Sequence, residues 1–181
     1  MIYEAKEFIL KDNTVVTFRT PEVSEAQELL NFIKTAVGQT DYLLSSPEDI
    51  KLTVEQEEAF IESNKNSNSY FIAAYVDGKI IGDCCVNYGR HLKDKHRGNI
   101  GITVDEKYWN KGIGSIMFDE MIRLSRNVEG IEQLELGVNS ENPRAKHLYE
   151  KKGFVKFASI PRALKLKDGT YCDEELMVLF L

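Results

Sequence analysis

A glycine-rich segment in the middle of the chain has the residue types of a phosphate-binding helix start. Residues 111–115 read K-G-I-G-S and follow a short apolar run from Ile100 to Val104. Glycine lets a ligand approach the backbone closely, and the free N–H groups at the start of a helix favour an anion such as a phosphate or pyrophosphate. Taken alone, the pattern is more typical of an ordinary helix start whose glycines serve packing.

Two well-known nucleotide-binding signatures do not fit this segment. A dinucleotide fingerprint requires G-x-G-x-x-G, but no third glycine follows Gly112 and Gly114 at that spacing. A Walker loop places its lysine after the glycines, whereas Lys111 precedes them. Neither class of nucleotide-binding site explains the segment.

A second segment, from Val138 to Phe154, combines side-chain amides with a phenol. It reads V-N-S-E-N-P-R-A-K-H-L-Y-E-K-K-G-F. Steps of three and four residues place Asn142, Ala145 and Tyr149 on one face of a predicted helix. A phenol with an ordinary pKa of about 10 is protonated at neutral pH and can donate its proton to a thiolate.

Together the two segments closely resemble the GCN5-related N-acetyltransferase family, whose members transfer acyl groups from acyl-CoA to amines. The resemblance rests on the G-x-G helix start and on an N-x-x-N-x-x-A-x-x-L-Y-x-x-x-G-F pattern that begins at Asn139. It is strong from Ile100 to Phe154 and looser from Val15 to Leu181. It implies one α/β (α+β) domain over residues 1–181 with the acyl-CoA N-acyltransferase fold. That fold has a mixed, mostly antiparallel sheet with splayed central strands and helices on both faces.

The resemblance also implies roles for individual residues, with acetyl-CoA as cosubstrate between the splayed strands. Backbone groups near Ile102 and Val104 are expected to bind the pantetheine arm as an added strand would. Tyr149 is the expected catalytic acid for the departing CoA thiolate, and Asn142 is expected to bond to the pantetheine or shape its groove. The pyrophosphate is expected on the turn that opens the helix, where the Lys111 side chain adds a charge. This turn comprises Asn110, Lys111, Gly112, Ile113, Gly114 and Ser115.

The chain departs from the family pattern at two places. Trp109 stands where many members carry Gln or Arg, but the expected phosphate donors are mainly backbone groups. Many members carry a base-acting Glu on the strand ahead of the turn, and residues 99–104 contain no carboxylate. The general base is therefore not assigned. Asp83 and His96 are candidates, although a structural role is favoured for each, and ordered water could serve instead.

Hydrophobic periodicity predicts the elements that must hold these segments. An opening hairpin over 8–19 precedes helices over 23–37 and from Thr53 to Ile61, the second with a Thr53/Gln56 capping box. The dipeptide Asp77-Gly78 predicts a hairpin between strands over 70–76 and 79–86. The rest of the chain predicts strands over 100–104, 132–138 and 154–157, helices over 112–126 and 143–152, and a hairpin over 165–181.

Composition favours a soluble domain in a reducing compartment. The 181 residues are 43% hydrophobic and carry a net charge of −6, and no segment resembles a signal peptide or a membrane span. Three cysteines without C-x-x-C spacing indicate neither a disulfide framework nor a zinc site. We therefore expect a cytoplasmic monomer or homodimer with no metal and with no nucleic-acid or membrane partner.

Charge is divided unevenly along the chain. Residues 1–69 contain 13 acidic and 6 basic side chains, whereas residues 70–181 contain 16 and 17. The resemblance implies that residues 23–60 and 159–171 wall the acceptor site, so the acidic surplus favours a small cationic amine of polyamine or aminoglycoside type. N-terminal or lysine acetylation of a protein such as a ribosomal protein is one alternative, and a non-catalytic acyl-CoA sensor is another.

Overall fold

One eight-stranded sheet organises the protein, and the computed structural model describes all 181 residues. The strands are β1 (Lys6–Ile9), β2 (Val15–Arg19), β3 (Tyr70–Val76), β4 (Lys79–Tyr88), β5 (Arg97–Val104), β6 (Gln133–Asn139), β7 (Val155–Lys165) and β8 (Tyr171–Phe180). They lie side by side in the order β1-β2-β3-β4-β5-β6-β8-β7. Only β5 and β6 pair in parallel, and every other neighbouring pair is antiparallel.

Helices cover both faces of the sheet, as the sequence predicts. They are α1 (Ala26–Gly38), α2 (Val54–Lys65), α3 (Ile113–Arg126) and α4 (Pro143–Lys151). Helices α1 and α2 bury Leu29 and Ile61 against one face, and α3 buries Met117 and Phe118 against the other, where Leu148 of α4 also packs. The expected fold is confirmed. None of these helices combines the length and the hydrophobicity that crossing a bilayer requires.

Local sequence signals define several helix ends. Thr53 and Gln56 form the expected capping box at the start of α2, with Gln56 N donating to Thr53 Oγ1 at 3.3 Å. Gly112 caps α3 with a left-handed φ of 94°, a conformation that glycine adopts without steric cost. Helix α1 starts later than the sequence predicts, because residues 23–25 form a separate 3-10 turn.

The C-terminal hairpin is longer than the sequence predicts. The strand expected over 154–157 extends to Lys165 and pairs with β8, with irregular pairing between Lys156 and Ala158 and between Ile160 and Leu164. The second irregularity contains a proline and a residue of positive φ, Arg162 at 54°. Both interrupt the alternating pattern that identifies a strand, so the pattern marks only its first part.

The central strands β5 and β6 pair over three residues and then separate. Their pairing runs from Arg97 opposite Gln133 to Asn99 opposite Glu135. A bidentate ion pair between Arg97 and Glu135 joins the paired ends of the two strands. Arg97 Nε donates to Glu135 Oε1 at 2.6 Å, and Arg97 Nη2 donates to Glu135 Oε2. Gly98 permits the close approach, since a Cβ there would lie 2.8 Å from the Leu134 side chain. The splay that the sequence resemblance implies is present.

A buried carboxylate ties the N-terminal segment to α3. Glu120 accepts hydrogen bonds from the Tyr3 hydroxyl at 2.7 Å, the Lys6 ammonium at 2.9 Å and the Arg123 guanidinium at 2.8 Å. Burial alone would raise the pKa of Glu120, but these donors outweigh it and lower the pKa to about 2. The carboxylate therefore binds its proton less readily in the folded state than in the unfolded state.

We expect the free energy of unfolding to fall as the pH drops from 4.5, the ordinary pKa of a glutamate, toward 2. Above that window the stabilisation by ionised Glu120 is fully present, and it amounts to about 3 kcal/mol for a shift of this size. Urea denaturation across this range would measure it. Glu120→Gln should be less stable at pH 7 and lose less stability on acidification. A variant with the acid sensitivity of the wild type would contradict this account.

Candidate active site

A cavity of about 550 Å³ opens where β5 and β6 separate. The ends of these two strands, the start of α3, one face of α4 and the loop after α1 line it. Its volume lies within the range of small-molecule sites. Every site residue expected from the sequence except Lys111 lines this cavity, namely Ile102, Val104, Asn110, Gly112, Ile113, Gly114, Ser115, Asn142 and Tyr149.

The edge of β5 that faces the cavity carries unpaired backbone groups. Just beyond the ladder of β4 with β5, Asp105 N donates to Ile81 O at 2.9 Å. Hydrogen bonds alternate along an antiparallel ladder, so in the regular register of this pair the even-numbered residues of β5 direct their N–H and C=O groups away from β4. Ile102 and Val104 therefore present backbone donors and acceptors to the cavity. An extended ligand can bind there as an added strand.

Trp109 and Arg144 link the two sides of the cavity. The indole Nε1 of Trp109 donates to the Val104 carbonyl at 2.7 Å. Arg144 of α4 stacks on the same indole, with its Cζ 3.5 Å from the ring centre. A carbonyl oxygen has two lone pairs, so Val104 keeps one for a ligand. Sequence reasoning noted Trp109 only as a departure from the family pattern and missed Arg144, because their contact joins two separate segments.

The turn before α3, which we call the free-amide turn, presents six consecutive N–H groups, those of residues 110–115, without an acceptor in the chain. The helix begins its own hydrogen bonding only at Ile116 N, which donates to Gly112 O at 3.1 Å. Left-handed backbone at Asn110, with φ of 61°, and at Gly112 shapes the turn. Successive free amides at a helix start form a binding site for a phosphate or pyrophosphate.

The Lys111 side chain does not face the cavity, contrary to the expectation from the sequence. Its Nζ lies 3.2 Å from Asp12 Oδ2, in the turn between β1 and β2, and 5.4 Å from the centre of the Tyr108 ring. The first hairpin thus supplies a carboxylate that holds the ammonium elsewhere. Lys111 contributes its backbone amide to the turn, and the expected additional positive charge is absent from this position.

The two asparagines of the α4 motif have different roles in the fold. Asn142 Oδ1 accepts from Ala145 N at 3.1 Å and caps α4, while its Nδ2 has no partner in the chain and is free to donate to a ligand. Asn139 holds the end of β6, where its Oδ1 accepts from Glu141 N at 2.9 Å. Only Asn142 is therefore available to a ligand through its side chain.

Tyr149 lines the cavity from α4, and its hydroxyl has no hydrogen-bond partner in the chain. Its ring packs against Phe118 and Phe154, with ring centres 4.9 Å and 6.3 Å away. Burial raises the pKa of Tyr149 to about 12, although the nearby charge of Arg144 opposes the shift. The phenol is thus protonated at neutral pH and free to donate.

The two candidate bases lie in very different places. His96 precedes β5 at the end where β5 and β6 are still paired, and extended chain places it roughly 20 Å from Ile102. Asp83 lies on β4 directly opposite Thr103, a residue that lines the cavity. Of the two, only Asp83 neighbours a residue of the cavity lining, although it does not line the cavity itself. No group of three or more His, Cys, Asp and Glu side chains is arranged to hold a metal ion.

Similar structures share this architecture. The acetyltransferase of the GNAT family from Streptococcus pneumoniae superposes with a TM-score of 0.87 at 30% identity, covering 92% of this chain and 99% of that chain. The yncA protein of Salmonella typhimurium, solved with its cofactor acetyl-CoA, superposes with a TM-score of 0.79 at 19% identity, covering 92% of this chain and 94% of that chain. The second likeness shows the common fold.

Sequence comparison identifies the same family. L-amino acid N-acetyltransferase AaaT of Escherichia coli (strain K12) is 28% identical over 106 residues, which are 59% of this chain and span 65% of that protein. Residues 39–154 match the acetyltransferase (GNAT) family, and this match includes the free-amide turn, β6 and α4. The chain therefore belongs to the GNAT family of acetyltransferases.

Proposed function

We propose that the protein transfers an acetyl group from acetyl-CoA to a primary amine. The observation that carries the proposal is that one cavity combines the free amides of residues 110–115, an unpaired edge of β5 and the partnerless phenol of Tyr149. These features complement the pyrophosphate, the amide-containing pantetheine arm and the thioester sulfur of acetyl-CoA, respectively.

The binding groups act at different parts of the ligand. Amides at the start of α3 donate to the pyrophosphate, and the positive end of the helix dipole favours its charge. The backbone of Ile102 and Val104 pairs with the pantetheine amides. Nδ2 of Asn142 donates to a pantetheine oxygen from the other side of the cavity. This binding uses backbone groups for most of its contacts and needs no side-chain charge at Lys111.

The acceptor nitrogen must lose two protons, one from its ammonium form before it attacks and one after the new bond has formed, and the sulfur must gain one. The amine nitrogen forms a bond to the carbonyl carbon of the thioester, and the bond from that carbon to sulfur breaks. Tyr149 donates its hydroxyl proton to the departing thiolate, and the proton that the new amide nitrogen loses returns to the phenolate directly or through water. The ammonium form of the acceptor cannot attack, so it must first release a proton.

Direct attack by the amine fits the cysteines of the chain better than an acyl-cysteine route does. Cys84 is fully buried in the core, and burial raises the pKa of Cys85 to about 11. Cys172 is buried beside the Asn139 amide, whose Nδ2 lies 3.2 Å from its sulfur. A nucleophilic cysteine requires a stabilised thiolate, which Cys84 and Cys85 lack, and Cys172 does not line the cavity.

For the acceptor we propose a small cationic amine of polyamine or aminoglycoside type. The loop that follows α1 belongs to the acidic first third of the chain, and its residues 40 and 42–44 line the cavity. These loop residues are uncharged, and the lining holds one carboxylate, Glu174, together with the basic side chains of Arg144 and Lys151. The support for a cationic acceptor is therefore the acidic surplus of residues 1–69, since such a surplus attracts a cationic substrate and raises its local concentration.

An amino-acid acceptor is a second candidate, because Arg144 lines the cavity without forming an ion pair and can bind a carboxylate. The name of the Escherichia coli relative agrees with such an acceptor. Release of the CoA thiol should be measured with spermidine, kanamycin, L-amino acids and a peptide that carries a free N-terminus and a lysine. Turnover with the peptide alone would favour protein acetylation. Binding of acetyl-CoA without thiol release from any of these amines would contradict the proposal and favour a sensor.

Tyr149→Phe should lower kcat roughly 100-fold, because it removes the proton donor and keeps the ring that packs on Phe118. The dissociation constant for acetyl-CoA should stay nearly unchanged in a calorimetric titration. Tyr70→Phe, on β3 and outside the cavity lining, is a matched control that should retain wild-type kcat. Equal kcat values in the wild type and Tyr149→Phe would remove the role of Tyr149 as proton donor.

Gly112→Ala should weaken acetyl-CoA binding at least tenfold, a change of about 1.4 kcal/mol, because a left-handed φ of 94° disfavours alanine and the turn must shift. Gly169→Ala is the matched control. Gly169 has a similar φ of 87°, and at both glycines an added Cβ meets no atom within 4 Å. Both variants should lose about 1 kcal/mol of stability. Equal acetyl-CoA affinity in the two variants would contradict binding by this turn.

A further inference from the structure

A carboxyl group lies beside the cavity with an oxygen that has no partner. Asp83 Oδ1 is buried and makes no hydrogen bond in the chain. Cys84 belongs to the core under α3 and Cys85 packs with the core under α1, so alternation along β4 places Asp83 on the α1 and α2 face. Buried carboxylates are normally hydrogen-bonded or paired, and an unpartnered one requires an explanation.

Thr103 connects Asp83 to the cavity. The two residues are direct cross-strand neighbours in the ladder of β4 with β5, so their side chains lie side by side on the same face. Thr103 lines the cavity between Ile102 and Val104, the residues whose backbone faces the pantetheine site. A hydroxyl can accept one proton while it donates another, so Thr103 can pass a proton between the cavity and Asp83.

The surroundings of Asp83 provide a second carboxyl group and no cation. Burial raises the pKa of Asp83 to about 7, the Thr103 hydroxyl opposes this shift, and the charge of Glu57 adds to it. Glu57 reaches in from α2, is 2% exposed, and has an unpartnered Oε1 and a pKa raised by burial. The remaining titratable neighbours are Cys84 and Cys85, whose thiol pKa values burial raises. Asp83 is therefore not neutralised by an ion pair.

We propose that Asp83 is the proton acceptor of the transfer reaction and takes the proton of the acceptor ammonium through the Thr103 hydroxyl. The ammonium N–H donates its proton to Thr103 Oγ1, and the hydroxyl proton of Thr103 passes to a carboxylate oxygen of Asp83. The neutral amine then attacks the thioester, and Asp83 later releases the proton to solvent. This inference rests on the proposed acetyl transfer and supplies the general base that residues 99–104 lack.

Asp83→Asn should lower kcat/KM between roughly 100-fold and 10,000-fold and leave the dissociation constant for acetyl-CoA unchanged. The assay uses the amine that the wild type acetylates fastest in the panel above. The acidic limb of the wild-type pH profile, expected near pH 7, should be absent in the variant. Thr103→Val should lose activity as well, and Thr103→Ser, which keeps the hydroxyl, should recover it. Wild-type kcat/KM and pH profile in Asp83→Asn would overturn the proposal.

The protonation state of the acceptor distinguishes proton transfer from a structural role. A neutral amine needs no deprotonation before it attacks, which is the step proposed for Asp83, and its remaining proton leaves the acidic nitrogen of the tetrahedral intermediate. The loss of activity in Asp83→Asn should therefore shrink as the pH rises toward the pKa of the amine. A purely structural defect would lower the rate by the same factor at every pH. A constant deficit across the pH range would therefore overturn the proposal even if the variant is otherwise well folded.

Glu57→Gln provides a test that leaves Asp83 in place. Removing the charge of Glu57 lowers the pKa of Asp83, so the acidic limb of kcat/KM should move to lower pH. No movement, or movement to higher pH, would count against Asp83. If the wild type releases no CoA with any amine, the acetyl transfer itself fails. If the wild type is active and Asp83→Asn behaves identically, only the role of Asp83 fails.

Discussion

The hydrogen bonding between β5 and β6 stops after three residue pairs, and the cavity depends on this interruption. A strand in the middle of an eight-stranded sheet normally satisfies its backbone groups on both sides. Here the β6-facing edge of β5 beyond Asn99 lacks a strand partner, the indole of Trp109 reaches only the Val104 carbonyl, and the amides of residues 110–115 have no acceptor in the chain. Exposed strand edges recruit other backbones, and an extended ligand that carries amides and phosphates can complete this one.

The sheet also separates two of the proton transfers that the proposed reaction needs. Tyr149 lies in an aromatic cluster with Phe118 and Phe154 on the α3 and α4 side, where burial raises its pKa to about 12. Asp83 lies on the α1 and α2 side with a pKa of about 7. Environments that move the pKa values of two groups apart in this way suit one group to donate a proton and the other to accept one. The acetyl group would react between them.

The sequence was most informative where local rules govern the structure. Helix spacing correctly placed Asn142, Ala145 and Tyr149 on the face that lines the cavity, and the glycine pattern marked the free-amide turn. Contacts between distant segments could not be predicted from the sequence. The attraction of Lys111 to Asp12 and the stacking of Arg144 on Trp109 each join segments that lie far apart in the sequence.

Asp83 shows the same limit, since a lone acidic residue in a strand carries no signal of what lies opposite. Its position beside Thr103 follows from strand register, and its proximity to Glu57 follows from the way α2 packs on the sheet. The length of β7 was missed for a local reason, because Pro161 and Arg162 interrupt its alternation.

The most direct test of the account is a crystal structure of the protein with acetyl-CoA. We expect the pantetheine arm between β5 and β6, hydrogen-bonded to the backbone of Ile102 and Val104. The pyrophosphate should lie on the amides of residues 110–115, and the thioester sulfur within hydrogen-bond reach of the Tyr149 hydroxyl. Acetyl-CoA bound outside this cleft, or bound in it with those backbone groups still unpaired, would contradict the central claim.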